Sequence, residues 1–238
     1  MILVLWDIDR TLLYVGDIDR LVYREVFREV IGRDAERLPA RGTGVTMPMA
    51  VRELLAANDV PDAEADQLAR QIVDRLPGCL KRHGEGMRRS GQLMPGAVAA
   101  LAAVHQAEAL VPTVLTGNLK ASAEIKLSAF SLLQYVDKAV GGFASDNSHR
   151  PALVAVAQRR STRAYGHRFG PGNTVIIGDS LQDVRTGREG GAKVIGVASG
   201  TTSAQQLAEA GADHVMPDLA DVERLLETLH DLGKDRSS

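Results

Sequence analysis

The sequence is poor in the residues that would commit it to several common classes of protein. It holds one cysteine, Cys79, so no intrachain disulfide can form, and the residue reads as a small core or surface side chain. Aromatic residues make up only 4% of the chain, which leaves any sizeable core aliphatic, and the 45% hydrophobic content suffices to build one. Neither sign of charge dominates: the net charge is −2, which argues against a general nucleic-acid binder or a binder of acidic membranes. Ahead of Asp7 stand Met1 and the five apolar residues Ile2 to Trp6, with no basic leader. No signal peptide or membrane span is expected there, and a soluble cytoplasmic protein is expected. The 238 residues exceed one minimal domain and suit a core with an insertion.

What is present begins at once. Ile2-Leu3-Val4-Leu5-Trp6 reads as a buried parallel strand, and it ends in Asp7-Ile8-Asp9-Arg10-Thr11. In open α/β sheets ligands sit beyond the carboxyl ends of strands, where Asp7 and Asp9 fall. Extended geometry turns both carboxylates to one side and Ile8 into the core. Like charges that close call for a cation, a shared proton or solvent, so a metal is suspected. A polar cap on a strand before a turn would look the same.

A helix is expected from Asp17 to Gly32, with Val22, Val26 and Val30 repeating along one face. The loop Leu38–Thr46 follows, then helices over 49–58 and from Asp62 to about Leu76, where Pro77-Gly78 should end the second. A basic stretch comes next, from Lys81 to Arg89. Nothing between Asp17 and Arg89 reads as a strand, so this part is expected to be an all-helical insertion. Strand–helix alternation resumes at Pro95-Gly96. It supplies strands at Val111–Leu115, near Ala139-Val140, at Thr174–Ile177, at Lys193–Val197 and at His214–Met216, with helices between them. Such alternation implies a doubly wound parallel sheet. The tail from Gly233 is expected to be mobile.

Three of these strands end in polar signals: Asp7/Asp9, Thr116-Gly117-Asn118, and Asp179 with Asp183. If they neighbour one another, the three converge at one edge of the sheet. Together with the basic residue in Arg150-Pro151, this series resembles the motif set of the haloacid dehalogenase-like hydrolases. The likeness is close over 1–15 and 90–200. It implies a Rossmann-like α/β core (1–15 and 90–238) carrying a helical cap domain (16–89), as in phosphoglycolate phosphatase-like members.

The resemblance implies a role for each residue. Asp7 would be the nucleophile that forms an aspartyl-phosphate, and Asp9 the general acid and then base. Phosphatases of the family keep that second Asp, whereas dehalogenases lack it. Thr116, Gly117 and Asn118 would hold phosphate oxygens, with Gly117 letting the backbone approach. Asp7, Asp179, Asp183 and the Asp9 carbonyl would bind Mg²⁺, although Asp179 and Asp183 also look like a helix start. The third motif is normally Lys before Pro; here Arg150 stands there and would bind and neutralise the phosphate, with Lys120 as the alternative cation. A second departure is Arg10, where Gly is commoner. The Arg41–Thr46 loop lies where the family carries substrate specificity, so Arg41, Thr43 and Thr46 are the candidates.

These features imply a Mg²⁺-dependent phosphatase acting on a small phosphorylated metabolite. The alternatives are a sugar phosphomutase of the same superfamily and a non-catalytic phosphate-binding regulatory module. No nucleic-acid or membrane partner is implied, and the sequence does not specify an oligomeric state.

Overall fold

The computed structural model describes residues 1–40 and 44–233. From β1 (Ile2–Trp6) the chain passes through a short strand, β2 (Leu13–Tyr14), into helices α1 (Ile18–Ile31), α2 (Met47–Ala57), α3 (Asp62–Arg82) and α4 (Gly84–Ser90). A second short strand, β3 (Gln92–Leu93), pairs antiparallel with β2, so the helical excursion leaves and returns at one ribbon. Then follow α5 (Ala97–Gln106), β4 (Leu110–Thr116), α6 (Lys120–Ala129), β5 (Gly142–Phe143) and α7 (Ala152–Tyr165). The chain continues through β6 (Thr174–Gly178), α8 (Leu181–Gly190), β7 (Lys193–Val197), α9 (Ala204–Glu209), β8 (His214–Met216) and α10 (Val222–Leu232).

Six strands form one parallel sheet in the order β5-β4-β1-β6-β7-β8. The central strand β1 divides its side chains between two cores. Val4 and Trp6 enter one, with α5, α6 and α10; Leu3 and Leu5 enter the other, with α7, α8 and α9. A strand buried on both faces has no polar alternation to show, which is why β1 reads as an unbroken apolar run. Pro112 sits inside β4 without breaking it. Its carbonyl accepts from Asp137 N at 2.9 Å, on the side where β5 pairs only with Leu115 and Thr116, so the absent N–H leaves no sheet partner unbonded.

Two expected elements form differently. Pro77 does not end α3. Ile72, Leu76, Cys79 and Leu80 bury one face that runs straight through the proline, and that burial outweighs the missing hydrogen bond. The strand expected near Ala139-Val140 forms at Gly142–Phe143, because Asp137 Oδ1 accepts from Ala139 N and holds the earlier residues in a turn. Among the described residues no strand interrupts α1–α4, and no helix is long and apolar enough to cross a membrane. The tail from residue 234 onward lies outside the described residues.

Candidate active site

The strands β4, β1 and β6 are neighbours, so the polar residues following each arrive at one edge. Asp7 N still donates to Ile177 O at 2.9 Å, extending the β1–β6 ladder by one residue and fixing where the first carboxylate leaves the sheet. There Asp7, Asp179 and Asp183, all buried, bring one oxygen each within 4.8 Å of one another. The hydroxyl of Thr11 lies 3.4 Å from Asp7 Oδ2 and 3.3 Å from Asp179 Oδ1. Asp183 also closes a capping box at the start of α8, its Oδ2 accepting from Ser180 N at 2.9 Å and Ser180 Oγ at 2.6 Å. The helix-start reading and the cluster reading of Asp183 therefore hold together, since its two oxygens are used separately.

Arg150 is the cation among these groups. Its Nη2 donates to Asp7 Oδ1 at 2.7 Å and Asp183 Oδ1 at 2.5 Å, while Nη1 donates to Gly44 O at 2.6 Å. One guanidinium does not balance three carboxylates. Burial, then repulsion from Asp183, pushes the Asp179 carboxyl up to about 7, against the pull of Thr11 and Arg150. The same two causes raise Asp7 well above the usual range, with Arg150 opposing them. A buried all-oxygen donor set with too little positive charge is the chemistry that suits a hard divalent cation. Space beside it is tight: a Cβ on Gly200 would collide with Asp179 Oδ2. Lys120, the other candidate cation, is exposed and lies 5.6 Å from the Phe143 ring centre, outside the residues lining the cavity.

Asp9 is held apart from the trio. Its Oδ2 accepts from Asn118 Nδ2 at 2.7 Å and its Oδ1 from Lys126 Nζ at 2.8 Å. Asn118 gives its other amide hydrogen to Thr116 Oγ1 at 2.8 Å, and its backbone N–H approaches the same oxygen at 3.2 Å. Thr116 Oγ1 thus accepts from both, leaving its own proton to donate to an anionic oxygen. A Cβ on Gly117 would stand 2.7 Å from Val45 O, and Met47 N donates to Gly117 O, so this glycine admits the backbone leading into α2.

Asp7, Asp9 and Asp179, with Arg150 and Thr116 to Asn118, line one cavity of about 180 Å³, whereas Asp183 does not line it. Its far wall comes from the helical segment and the loop after it: Asp19, Arg20, Tyr23, and Leu38 to Ala40. Arg10 lies at the wall with φ +66° and its guanidinium 4.4 Å from the Tyr14 ring centre. Arg41 and Thr43 lie outside the described residues. Thr46 does not line the cavity: it is fully buried, and its hydroxyl donates to Ser148 O at 2.9 Å, anchoring the start of α2.

Sequence reasoning missed Lys126 and Asp19. Lys126 is 1% exposed and ion-paired to both Asp9 and Asp19 at 2.8 Å. Burial pulls its pKa down, but the two carboxylates more than offset that, so it stays charged. The available signal was its position: Lys126 shares the buried face of α6 with Ala123 and Leu127. Cys79 is buried, and its thiol donates to Glu25, which His83 also contacts at 3.0 Å, away from this cavity.

A family model described as haloacid dehalogenase-like hydrolase matches residues 4–188. No curated protein matches the chain. Among solved structures, a hydrolase from Pseudomonas syringae is similar at a TM-score of 0.69 and 21% identity, over 96% of this chain and 99% of that one. A protein provisionally described as a phosphoglycolate phosphatase, from Lactobacillus plantarum, gives 0.63 and 20% over 93% and 97%. Another, provisionally described as a β-phosphoglucomutase, from Bacteroides vulgatus, gives 0.65 and 18% over 98% and 90%.

Proposed function

The chain belongs to the haloacid dehalogenase-like hydrolases, and on that premise we propose that it is a Mg²⁺-dependent phosphatase acting on a small phosphorylated metabolite. The observation that carries this reading is the pairing of two carboxylates in different settings across one cavity. Asp7 is buried in an acidic cluster, while Asp9 is held by two donors and is 36% exposed.

In the first step an oxygen of Asp7 attacks phosphorus and the bond to the leaving oxygen breaks, giving an aspartyl-phosphate. Asp9, protonated, gives its proton to that leaving oxygen. As the carboxylate, Asp9 then takes a proton from a water that attacks the phosphoryl group, and the bond to Asp7 breaks to release phosphate. Thr116 donates its free hydroxyl proton to a phosphoryl oxygen, Gly117 and Asn118 border the same space, and Arg150 orients Asp7 while offsetting charge. Asp7, Asp179 and Asp183, with the Asp9 carbonyl, would hold Mg²⁺, which when bound neutralises charge between nucleophile and phosphate.

The helical segment 16–89 is read as a cap over the core of 1–15 and 90–238, since it supplies the cavity's far wall. Such a wall excludes water and meets the part of the substrate beyond the phosphate. Arg41 and Thr43 are kept as candidate contacts there. A sugar phosphomutase would share the first step and return the phosphoryl group to a sugar.

The test is phosphate release from a panel of phosphorylated metabolites and an aryl phosphate. Turnover should require Mg²⁺ and disappear in Asp7→Asn, which removes the attacking anion and keeps the shape. Near wild-type release by Asp7→Asn, or by EDTA-treated protein, would sink the mechanism. Transfer to a second sugar hydroxyl in place of phosphate release would select the mutase.

A further inference from the structure

We propose that Lys126 is the positioning residue for Asp9, and that Asp19 braces it from the helical segment. The inference rests on the reading of Asp9 as the proton-transferring group. A carboxylate turns easily about its last torsion, whose energy wells are broad, so one hydrogen bond does not fix its plane. Asp9 has two, from separate places: Asn118 in the turn after β4 holds Oδ2, and Lys126 in the body of α6 holds Oδ1. The remainder of the Asp9 side chain faces the cavity.

A purely structural role explains Lys126 less well. It occupies the core-facing side of α6 beside Ala123 and Leu127, where an aliphatic side chain would fill the space without bringing an ammonium out of water. Both of its partners line the active-site cavity. Asp19, in the first turn of α1, meets Lys126 through Oδ2, while its Oδ1 is buried and has no hydrogen-bond partner. Asp19 therefore depends on Lys126 for its polar hold, and the ammonium is gripped from both sides. The chain of contacts Asp19–Lys126–Asp9 ties the first helix of the insertion to the residue that moves the proton.

The test is a double-mutant cycle on the full chain with Mg²⁺, comparing an alkyl and an aryl phosphate. Lys126→Met should lower kcat for the alkyl phosphate about tenfold or more, leave KM nearly unchanged, and lower kcat for the aryl phosphate much less, because a phenolate departs with little proton assistance. In an Asp9→Asn background the same substitution should add nothing further. Equal losses on both substrates, or full additivity with Asp9→Asn, overturn the proposal in favour of a structural ion pair. Lys126→Gln replaces the methionine variant if circular dichroism shows that the latter does not fold. A crystal structure of the variant gives a readout independent of turnover: Asp9 should have rotated off Asn118, and an unmoved Asp9 overturns the proposal. Failure of the phosphatase reading shows separately, as no Asp7-dependent phosphate release by the wild type.

Discussion

Arg150 makes demands that a lysine would meet only in part. Its Nη2 serves two carboxylates while Nη1 holds a carbonyl of the loop before α2, a fork that a single ammonium does not span. Arg150→Lys should keep the charge and release Gly44, retaining part of the turnover. Arg150→Met should cripple turnover and, without metal, lower stability by about 3 kcal/mol or more, because it strands buried carboxylates. Lys120→Met should change neither, and a crippled Lys120→Met beside a healthy Arg150→Met would reverse the assignment. Urea unfolding and steady-state kinetics on the three variants decide it. Gly200→Ala should weaken Mg²⁺ binding about tenfold or more while leaving the circular dichroism spectrum intact, since its methyl would meet Asp179 Oδ2. Unchanged affinity by calorimetry would count against that crowding. Asp7, Asp9 and Asp179 were legible because each follows an apolar run that could be little but a strand. Lys126 was not, since an isolated lysine ordinarily marks a solvent-facing position, and only the register of α6 shows that this one points inward.

Elements were legible where one period held along their length. The helix α1 shows its Val22–Val26 face in sequence and ends at Gly32, whose φ of +83° suits a residue without Cβ. Strands β2 and β3 were missed because two residues carry no period, and only their pairing across the insertion makes them strands. The sequence ends α3 too soon because Pro77 is a strong local signal, whereas the buried face that overrides it depends on contacts with α1 and α2. Pro77→Ala should therefore stabilise the protein, by up to about 3 kcal/mol if the ring is the sole obstacle to ideal helix. A lower melting temperature in Pro77→Ala would mean instead that packing requires the bend.

The balance of charge at the sheet edge ties the stability of the whole molecule to pH and, if the cluster holds Mg²⁺ as proposed, to metal as well. The Asp179 carboxyl is pushed up to about 7, first by burial and then by Asp183, and Asp7 is raised in the same way. Between the ordinary 3.8 and about 7, Asp179 in the folded, metal-free chain holds a proton that it has lost in the unfolded one, and the raised Asp7 acts in the same direction. This site's contribution to stability is therefore full below about pH 4 and is lost as pH rises through 7. Mg²⁺ held by these carboxylates, as proposed, would compete with those protons, so the stability it adds should grow across the same window. Urea midpoints with EDTA and with Mg²⁺, at about pH 5 and pH 8, should separate further at the higher pH; an equal gap at both would refute the coupling. The place of β1 has a consequence for how the chain comes to be folded at all. Its partners β4 and β6 lie on the order of a hundred residues or more further along, whereas α1, α2 and α3 pack on near neighbours in sequence. During synthesis the helical segment can gather while β1, apolar on both faces, waits unpaired for its neighbours. A ribosome-bound chain stopped before β4 should thus present this strand to chaperones, whereas one stopped after β6 should not.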